Sequence, residues 1–160
     1  MRIALFQPDM PPNVGAVIRI AACFDIGLDI IEPCGFPMSD RTLRRAALDY
    51  GRLADVRRWA SWRMYVEDAK FAGARLVAVE TDGESLLEAF WFRPDDRLVF
   101  GRETEGLSQE ARADCEVSTR IGLAPGARSL NLSVAAGIVA WAARTSGTGA
   151  GTGTAGRDGG

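Results

Sequence analysis

Short apolar runs alternate with segments of helical periodicity along most of the chain, and this alternation restricts the possible folds more than any other feature. The apolar runs are bounded by proline, glycine or acidic residues, which is typical of buried strands; they lie at 2–6, 28–31, 75–80, 97–100 and 116–121. The sequence predicts helices between and after them, at 13–27, 39–51, 61–71, 85–90, 107–114 and 131–144. This alternation predicts an α/β fold with a largely parallel sheet.

Parallel sheets bind their ligands at the carboxyl ends of the strands. The loops that follow the predicted strands are therefore the first places to look for a site. They lie at 7–13, 81–84, 101–107 and 122–131.

The 160 residues are enough for one domain with a substantial core. We expect this domain to span 1–145, because residues 146–160 are rich in Gly and Thr and have too little apolar surface to offset the entropy of ordering them. This tail is predicted to be disordered. No apolar run is long enough to span a membrane, and three cysteines without a CxxC pair fit a reduced, cytoplasmic protein.

The chain contains no histidine. This excludes the commonest general base, the Ser-His-Asp and Cys-His nucleophiles and nearly all zinc sites, so no metal is expected. Catalysis would have to use carboxylates, arginine, hydroxyl groups or a reactive cofactor. The net charge of −2 predicts no overall basic field that would attract nucleic acid.

Three segments that contain glycine follow predicted strands. In the first, at 11–19, Asn13 is a candidate helix cap and Arg19 projects from the second turn; a capped helix with one exposed arginine is the simpler interpretation. In the second, at 98–107, Gly101 and Gly106 permit close approach of a ligand to the backbone and Glu103 supplies acceptors, although a tight strand-to-helix connection explains it equally well. The third, at 121–133, enters the last helix through Ser129 or Asn131, and either can cap it.

Taken together, these segments resemble the three signature motifs of the SPOUT superfamily of RNA methyltransferases. The match extends to one group of that superfamily, the tRNA wobble-nucleotide 2'-O-methyltransferases, over roughly residues 2–145. Five motifs occur in the order of this group: PPNVG at 11–15, IIEPCGF at 30–36, LRRAALDY at 43–50, FGRETEGL at 100–107 and RSLNLS at 128–133. Each motif alone is weak evidence, whereas five in order are strong evidence.

The resemblance implies a SPOUT-type parallel sheet flanked by helices, with a C-terminal trefoil knot. It implies tRNA as the substrate and a homodimer in which each active site faces residues of the partner subunit. It also implies S-adenosylmethionine as the cofactor, held mainly by backbone groups. Carried over by motif, the cofactor contacts are Val79, Thr81, Gly101, Glu103, Gly106, Ile121, Ser129 and Leu130.

Three positions depart from the family pattern. Arg102 and Gly122 stand where proline is usual, and Val134 stands where asparagine is usual. The first two lie on predicted loops, and contacts made by the backbone are insensitive to the side chain, so cofactor binding is expected to survive.

The resemblance gives Arg19 a role in activating the ribose 2'-hydroxyl. Since a guanidinium has a pKa of about 12.5 or above and stays protonated, we expect Arg19 to act as an electrostatic clamp that holds a phosphate and stabilises the developing alkoxide. Asn13, Asn131 and Ser133 are expected to orient Arg19 or the ribose.

Contacts with the tRNA are predicted for Arg41, Arg44, Arg45 and Arg128. A solvated helix face explains the first three almost as well. Two other functions remain open: the same chemistry on another tRNA position or on rRNA, and a catalytically idle RNA-binding module. The joint presence of the predicted catalytic and cofactor residues argues against the second.

Overall fold

A computed structural model describes residues 1–38, 50 and 53–146 of the chain. Their strands form one sheet: β1 (Arg2–Phe6), β2 (Gly27–Ile31), β3 (Val56–Trp59), β4 (Leu76–Val79), β5 (Ser85–Leu86), β6 (Arg97–Phe100) and β7 (Val117–Arg120). The order across the sheet is β3-β2-β1-β6-β4-β7-β5, and each neighbouring pair runs parallel. The prediction of an α/β fold with a parallel sheet is confirmed.

Helices cover both faces of the sheet. In the described part of the chain they are α1 (Pro11–Phe24), α2 (Trp62–Phe71), α3 (Gln109–Ala113) and α4 (Leu132–Ser146). Alternate residues of each strand point to opposite faces, so Ile3 and Leu5 pack under α1 and α4, while Ala4 and Phe6 pack under α2 and α3. None of these helices is both long and apolar enough to cross a membrane.

The first helix differs from its predicted limits at both ends. It begins at Pro11, so the expectation that Asn13 is its cap was wrong. Proline is tolerated in a first turn, because the amide hydrogen that it lacks would have no partner there. The helix ends at Phe24 rather than near Gly27, and Asp25 takes the left-handed conformation that terminates it, with φ of 54°.

Four other segments differ from the prediction. Strand β3 was not among the predicted strands. Residues 85–90 form the short strand β5 and a single 3-10 turn (Leu87–Ala89) rather than a helix, because Ser85 and Leu86 pair with β7. Helix α3 is shorter than 107–114, since the Ser108 hydroxyl caps it by accepting from Ala111 N. Helix α4 continues one residue past the predicted domain boundary at 145.

Some predictions fall on residues that the structure does not describe. These are most of the helix expected at 39–51, with Arg41, Arg44 and Arg45, and residues 147–160 of the tail. They remain predictions.

The strand order determines where a site can lie. The chain runs outward from β1 through β2 to β3, whereas β6, β4 and β7 lie on the other side of β1. Such a reversal leaves a crevice at the carboxyl ends of the central strands. The loops after β1, β4, β6 and β7 therefore converge at one edge of the sheet.

The opposite edge of the sheet contains a buried ion pair. Arg75 precedes β4, and its Nε and Nη2 atoms each lie 2.7 Å from the carboxylate of Asp96, which precedes β6 and is fully buried. The same carboxylate accepts the Arg93 N–H at 2.8 Å, and Arg75 also donates to the Trp91 carbonyl at 2.9 Å. Both partners thus have their hydrogen bonds satisfied inside the protein.

We expect Arg75→Met to lower the free energy of unfolding by about 3 kcal/mol, because it leaves the Asp96 carboxylate buried without its cation. Urea unfolding at neutral pH measures this. Arg63→Met is the control: Arg63 makes an exposed pair with Glu67 at 2.9 Å, and such pairs contribute only about 0.5 kcal/mol. Equal losses in the two variants would contradict the expectation.

Candidate functional site

A cleft of about 640 Å³ opens at the carboxyl-end edge of the sheet, a size typical of sites for small organic ligands. All four loops that were predicted to form a site contribute to it. Each predicted cofactor contact lines this cleft: Val79, Thr81, Gly101, Glu103, Gly106, Ile121, Ser129 and Leu130. Asn13, Asn131 and Arg128 line it as well.

One wall of the cleft is apolar. It is formed by side chains at the ends of β4 and β6, from the loop after β7 and from the start of α4: Val79, Phe100, Ile121, Leu123, Leu130, Leu132 and Ala135. Residues 124–130 of this loop are exposed, and a hydrogen bond from Ala127 N to Ala124 O at 3.0 Å closes a turn within it. This wall can accept a flat, apolar group.

The loop after β6 folds back on itself tightly. Arg102 N–H donates to the Gly106 carbonyl at 3.0 Å, and Gly106 N–H donates to the Arg102 carbonyl at 2.9 Å. A Cβ on Gly101 would lie 2.1 Å from the Gly106 carbonyl carbon, so no other residue fits there. Gly106 has φ of +72°, a conformation that favours glycine. The two glycines of the second motif are therefore required by the fold-back and bring the backbone to the cleft surface.

Polar side chains from all three motifs form one hydrogen-bonded chain beside the cleft. Glu103 accepts from Asp9 N–H at 2.7 Å and from the Asn13 amide at 2.8 Å. The Asn13 oxygen accepts from the Asn131 amide at 2.9 Å. The Asn131 oxygen in turn accepts from the Ser133 N–H at 2.9 Å and from the Ser133 hydroxyl at 2.7 Å.

The direction of this chain is fixed by its first member. An ionised carboxylate can only accept hydrogen bonds, so Asn13 must turn its amide nitrogen to Glu103 and its oxygen to Asn131. The side-chain oxygen of Asn131 can then accept from backbone N–H groups in the first turn of α4, so Asn131 caps this helix. The sequence-based expectation that Asn131 can be a cap is confirmed. Asn13, in contrast, is a buried bridge rather than a cap.

A second set of contacts joins the loop after β1 to the loop after β6. The Asp9 carboxylate accepts from Arg102 Nη2 at 2.5 Å and from the Thr104 hydroxyl at 2.7 Å. These hydrogen bonds, that from Arg102 first, hold the pKa of Asp9 below its ordinary value. Arg102, which stands where the family usually has proline, thus makes a specific contact.

Two of the predicted catalytic residues do not line the cleft of this chain. Arg19 is exposed on α1, and its guanidinium lies over the Tyr50 ring, 5.1 Å from the ring centre. Ser133 lies in the first turn of α4 and contacts Asn131. Within one chain, the structure therefore brings together the predicted cofactor contacts but not Arg19.

Sequence reasoning did not identify five charged residues at this edge: Asp9, Glu80, Asp82, Arg102 and Arg112. Asp9 and Asp82 fall within loops that were predicted to form the site, and Glu80 directly follows β4. Their positions in the sequence could therefore have identified them as site residues. Their partners could not be identified in this way, because each of these ion pairs joins two segments that no periodicity in the sequence connects: the loops after β1 and β6 for Asp9 with Arg102, and the turn after β4 with α3 for Arg112.

Comparison with known proteins gives a consistent result. The sequence profile described as the SpoU rRNA Methylase family matches residues 1–141. A protein of Beijerinckia indica subsp. indica named tRNA (cytidine(34)-2'-O)-methyltransferase is 41% identical over 137 residues, which make up 86% of each chain.

Solved structures of similar fold include one described as "Structural insights into the 2-OH methylation of C/U34 on tRNA". It has a TM-score of 0.86 and 38% identity, and the match covers 92% of this chain and 96% of that one. The SpoU methyltransferase AviRb from Streptomyces viridochromogenes, in complex with the cofactor AdoMet, has a TM-score of 0.81 and 25% identity, over 92% of this chain and 60% of that one.

Asp9→Asn should lower the melting temperature at neutral pH by roughly 2 to 4 °C, because it weakens the link between the two loops. The pKa of Asp9 is lowered by folding, so its contribution is full above the ordinary carboxyl pKa and is lost as the pH falls through the lower, folded value. The difference between wild type and variant should therefore be constant from about pH 8 to about pH 5 and shrink below about pH 4.

Differential scanning calorimetry across this range tests the expectation. Glu67→Gln, which alters the exposed pair with Arg63, is the control and should differ little from wild type at any pH. A difference for Asp9→Asn that grows on acidification would contradict the assignment.

Proposed function

The chain belongs to the SpoU methylase family, and we propose that it transfers a methyl group from S-adenosylmethionine to the ribose 2'-hydroxyl of the wobble pyrimidine, cytidine or uridine 34, of tRNA. The observation that carries this proposal is the single cleft that gathers all the predicted cofactor contacts beside Asn13 and Asn131. The names of the relatives supply the substrate and the position. We infer a cytoplasmic location from the same substrate.

The cleft fits the cofactor. Its apolar wall suits an adenine ring, and the loop after β6, which folds back closely at Gly101, brings main chain to the cleft surface. The residues that would hold the cofactor are those carried over from the motifs, together with the fold-back at Arg102 and Gly106. A trefoil knot around this cleft remains part of the proposal.

S-adenosylmethionine supplies an electrophilic methyl group, so the protein has to orient the hydroxyl and accommodate one proton. The hydrogen-bonded chain from Glu103 to Ser133 holds Asn13 and Asn131 in fixed orientations at the cleft surface. Arg19 supplies positive charge for a phosphate and for the developing alkoxide. Arg128, at the cleft, and Arg41, Arg44 and Arg45, outside the described residues, are the proposed tRNA contacts.

A homodimer would bring Arg19 to the active site. Helix α4 exposes an apolar stripe of Val134, Ile138 and Trp141, each between 39 and 57% exposed, and residues at this spacing share one helix face. Trp141 packs against Phe24 of α1, the helix that carries Arg19. An exposed apolar stripe of this kind is typical of an interface. We infer that two chains pair through α1 and α4, and that Arg19 of each acts at the cleft of the other.

Transfer of labelled methyl from S-adenosylmethionine to unmodified tRNA, followed by nucleoside analysis, tests the proposed reaction. A 2'-O-methylated pyrimidine at position 34 is expected. Arg19→Ala should reduce turnover at least about 100-fold while the affinity for S-adenosylmethionine stays within about twofold, because Arg19 is proposed to contact the RNA and not the cofactor. Label at another tRNA position or in rRNA would favour the sibling activity, and cofactor binding without transfer to any RNA would favour an idle binding module.

Mixing two inactive variants tests whether Arg19 acts across the dimer. Gly101→Ala disrupts the cleft, and Arg19→Ala removes the arginine. In a mixed dimer with one chain of each variant, the cleft of the Arg19→Ala chain is intact and receives Arg19 from the Gly101→Ala chain. Co-expression should restore about a quarter of wild-type activity per chain if Arg19 acts on the partner's cleft. Absence of recovery in purified mixed dimers would show that Arg19 acts within its own chain.

Trp141→Asp should convert the dimer to a monomer, because it places a charge in the apolar stripe. Size-exclusion chromatography with light scattering measures the mass, and methyl transfer should fall in parallel. Phe71→Asp is the matched control, since Phe71 is an apolar side chain on α2, 95% exposed and outside the stripe. If Trp141→Asp remained a dimer, the inferred interface would be wrong.

A further inference from the structure

One guanidinium joins both neighbours of Thr81. Arg112 of α3 places its Nη2 atom 2.6 Å from Glu80 Oε2, and its two Nη atoms lie 3.0 and 3.2 Å from the two carboxylate oxygens of Asp82. Thr81, a proposed cofactor contact, lies between these two residues in the turn after β4. The Arg112 side chain therefore holds the residues on both sides of Thr81.

The Glu80 carboxylate also contacts the end of the loop after β6. Its side chain is only 8% exposed, and Oε1 accepts from Leu107 N–H at 3.3 Å, at the point where the loop after β6 ends. Glu80 N–H donates to the Thr119 carbonyl at 3.1 Å, which continues the pairing of β4 with β7. Arg112 thus connects the turn at Thr81, through Glu80, to the segment that follows Gly106.

The helix that carries Arg112 is held firmly in place. Ala111, its neighbour in α3, is fully buried, and the Ser108 hydroxyl caps the helix. The hydrogen bond from Arg112 lowers the pKa of Asp82, so this carboxylate stays charged to a lower pH than an unpaired one. A planar guanidinium can bind two carboxylates at once, whereas an ammonium group offers a single point of charge.

We propose that Arg112 is a positioning residue for the cofactor, which fixes the Thr81 turn and the Gly106–Leu107 segment in their binding geometry before S-adenosylmethionine arrives. The inference rests on the proposed function, since it takes this cleft as the cofactor site. Pre-organised walls bind more tightly because the ligand does not have to order them. Arg112 is about half exposed, so its loss should affect these two loops rather than the core of the fold.

Isothermal titration with S-adenosylmethionine, in the absence of RNA, tests the inference on the full chain. Arg112→Ala should weaken binding about tenfold, and Arg112→Lys should fall between Ala and wild type. Arg63→Ala, which removes an exposed arginine paired with one carboxylate of α2, is the matched control and should bind as wild type does. Because Arg112→Ala leaves the largely buried Glu80 carboxylate without its cation, the melting temperature of this variant without ligand should fall by several degrees, and the titration is made well below it.

Kinetics give a second readout that loss of fold alone would not produce. In Arg112→Ala, KM for S-adenosylmethionine should rise while KM for tRNA and kcat at saturation stay near wild type. The double variant Arg112→Ala/Asp82→Asn should bind no more weakly than Arg112→Ala, because both changes break the same contact.

The outcomes distinguish failure of the positioning role of Arg112 from failure of the proposed function. Wild-type affinity in Arg112→Ala, or a double variant whose losses simply add, would overturn the positioning role while the proposed function stands. Failure of the wild type itself to bind S-adenosylmethionine would overturn both.

Discussion

The Glu103 carboxylate is the group on which the arrangement of the cleft depends. Because it can only accept hydrogen bonds, it fixes the orientation of Asn13, and through Asn13 that of Asn131, 118 residues further along the chain. Asn131 can then cap α4. A single acidic side chain thus fixes the hydrogen bonds that join three motifs and the start of the last helix. If either side-chain amide were rotated by 180°, two acceptors or two donors would face each other.

Most strands and helices were predictable from the sequence, because the buried strands of a parallel sheet are short apolar runs. Strand β3 was not predicted, since its two middle residues are exposed arginines. The failures occurred where a local rule has an exception. The first helix was predicted to start at Asn13, after Pro11 and Pro12, yet both prolines lie in the first turn of α1, where proline is tolerated. Residues 85–86 look helical by spacing, but their pairing with β7 determines their structure. Tertiary contacts therefore overrode local preference there.

The candidate site was predicted from its motifs, and its internal contacts were not. Val79, Thr81, Gly101 and Ile121 were named from the family resemblance, and the structure places them in one cleft. The pairing of Arg112 with Glu80 depends on how α3 packs against the sheet, which no spacing in the sequence encodes. The location of Arg19 outside the cleft of its own chain was not predictable either, since the motif specifies a residue type and not the direction in which α1 presents it.

Two parts of the apolar wall of the cleft differ in how strongly they are held. The ends of β4 and β6 belong to the buried sheet, whereas residues 124–130 form an exposed loop. Segments with few buried contacts open locally at a small fraction of the free energy of global unfolding. A ligand can therefore enter or leave the cleft by opening of this loop, while the sheet beneath it keeps its shape.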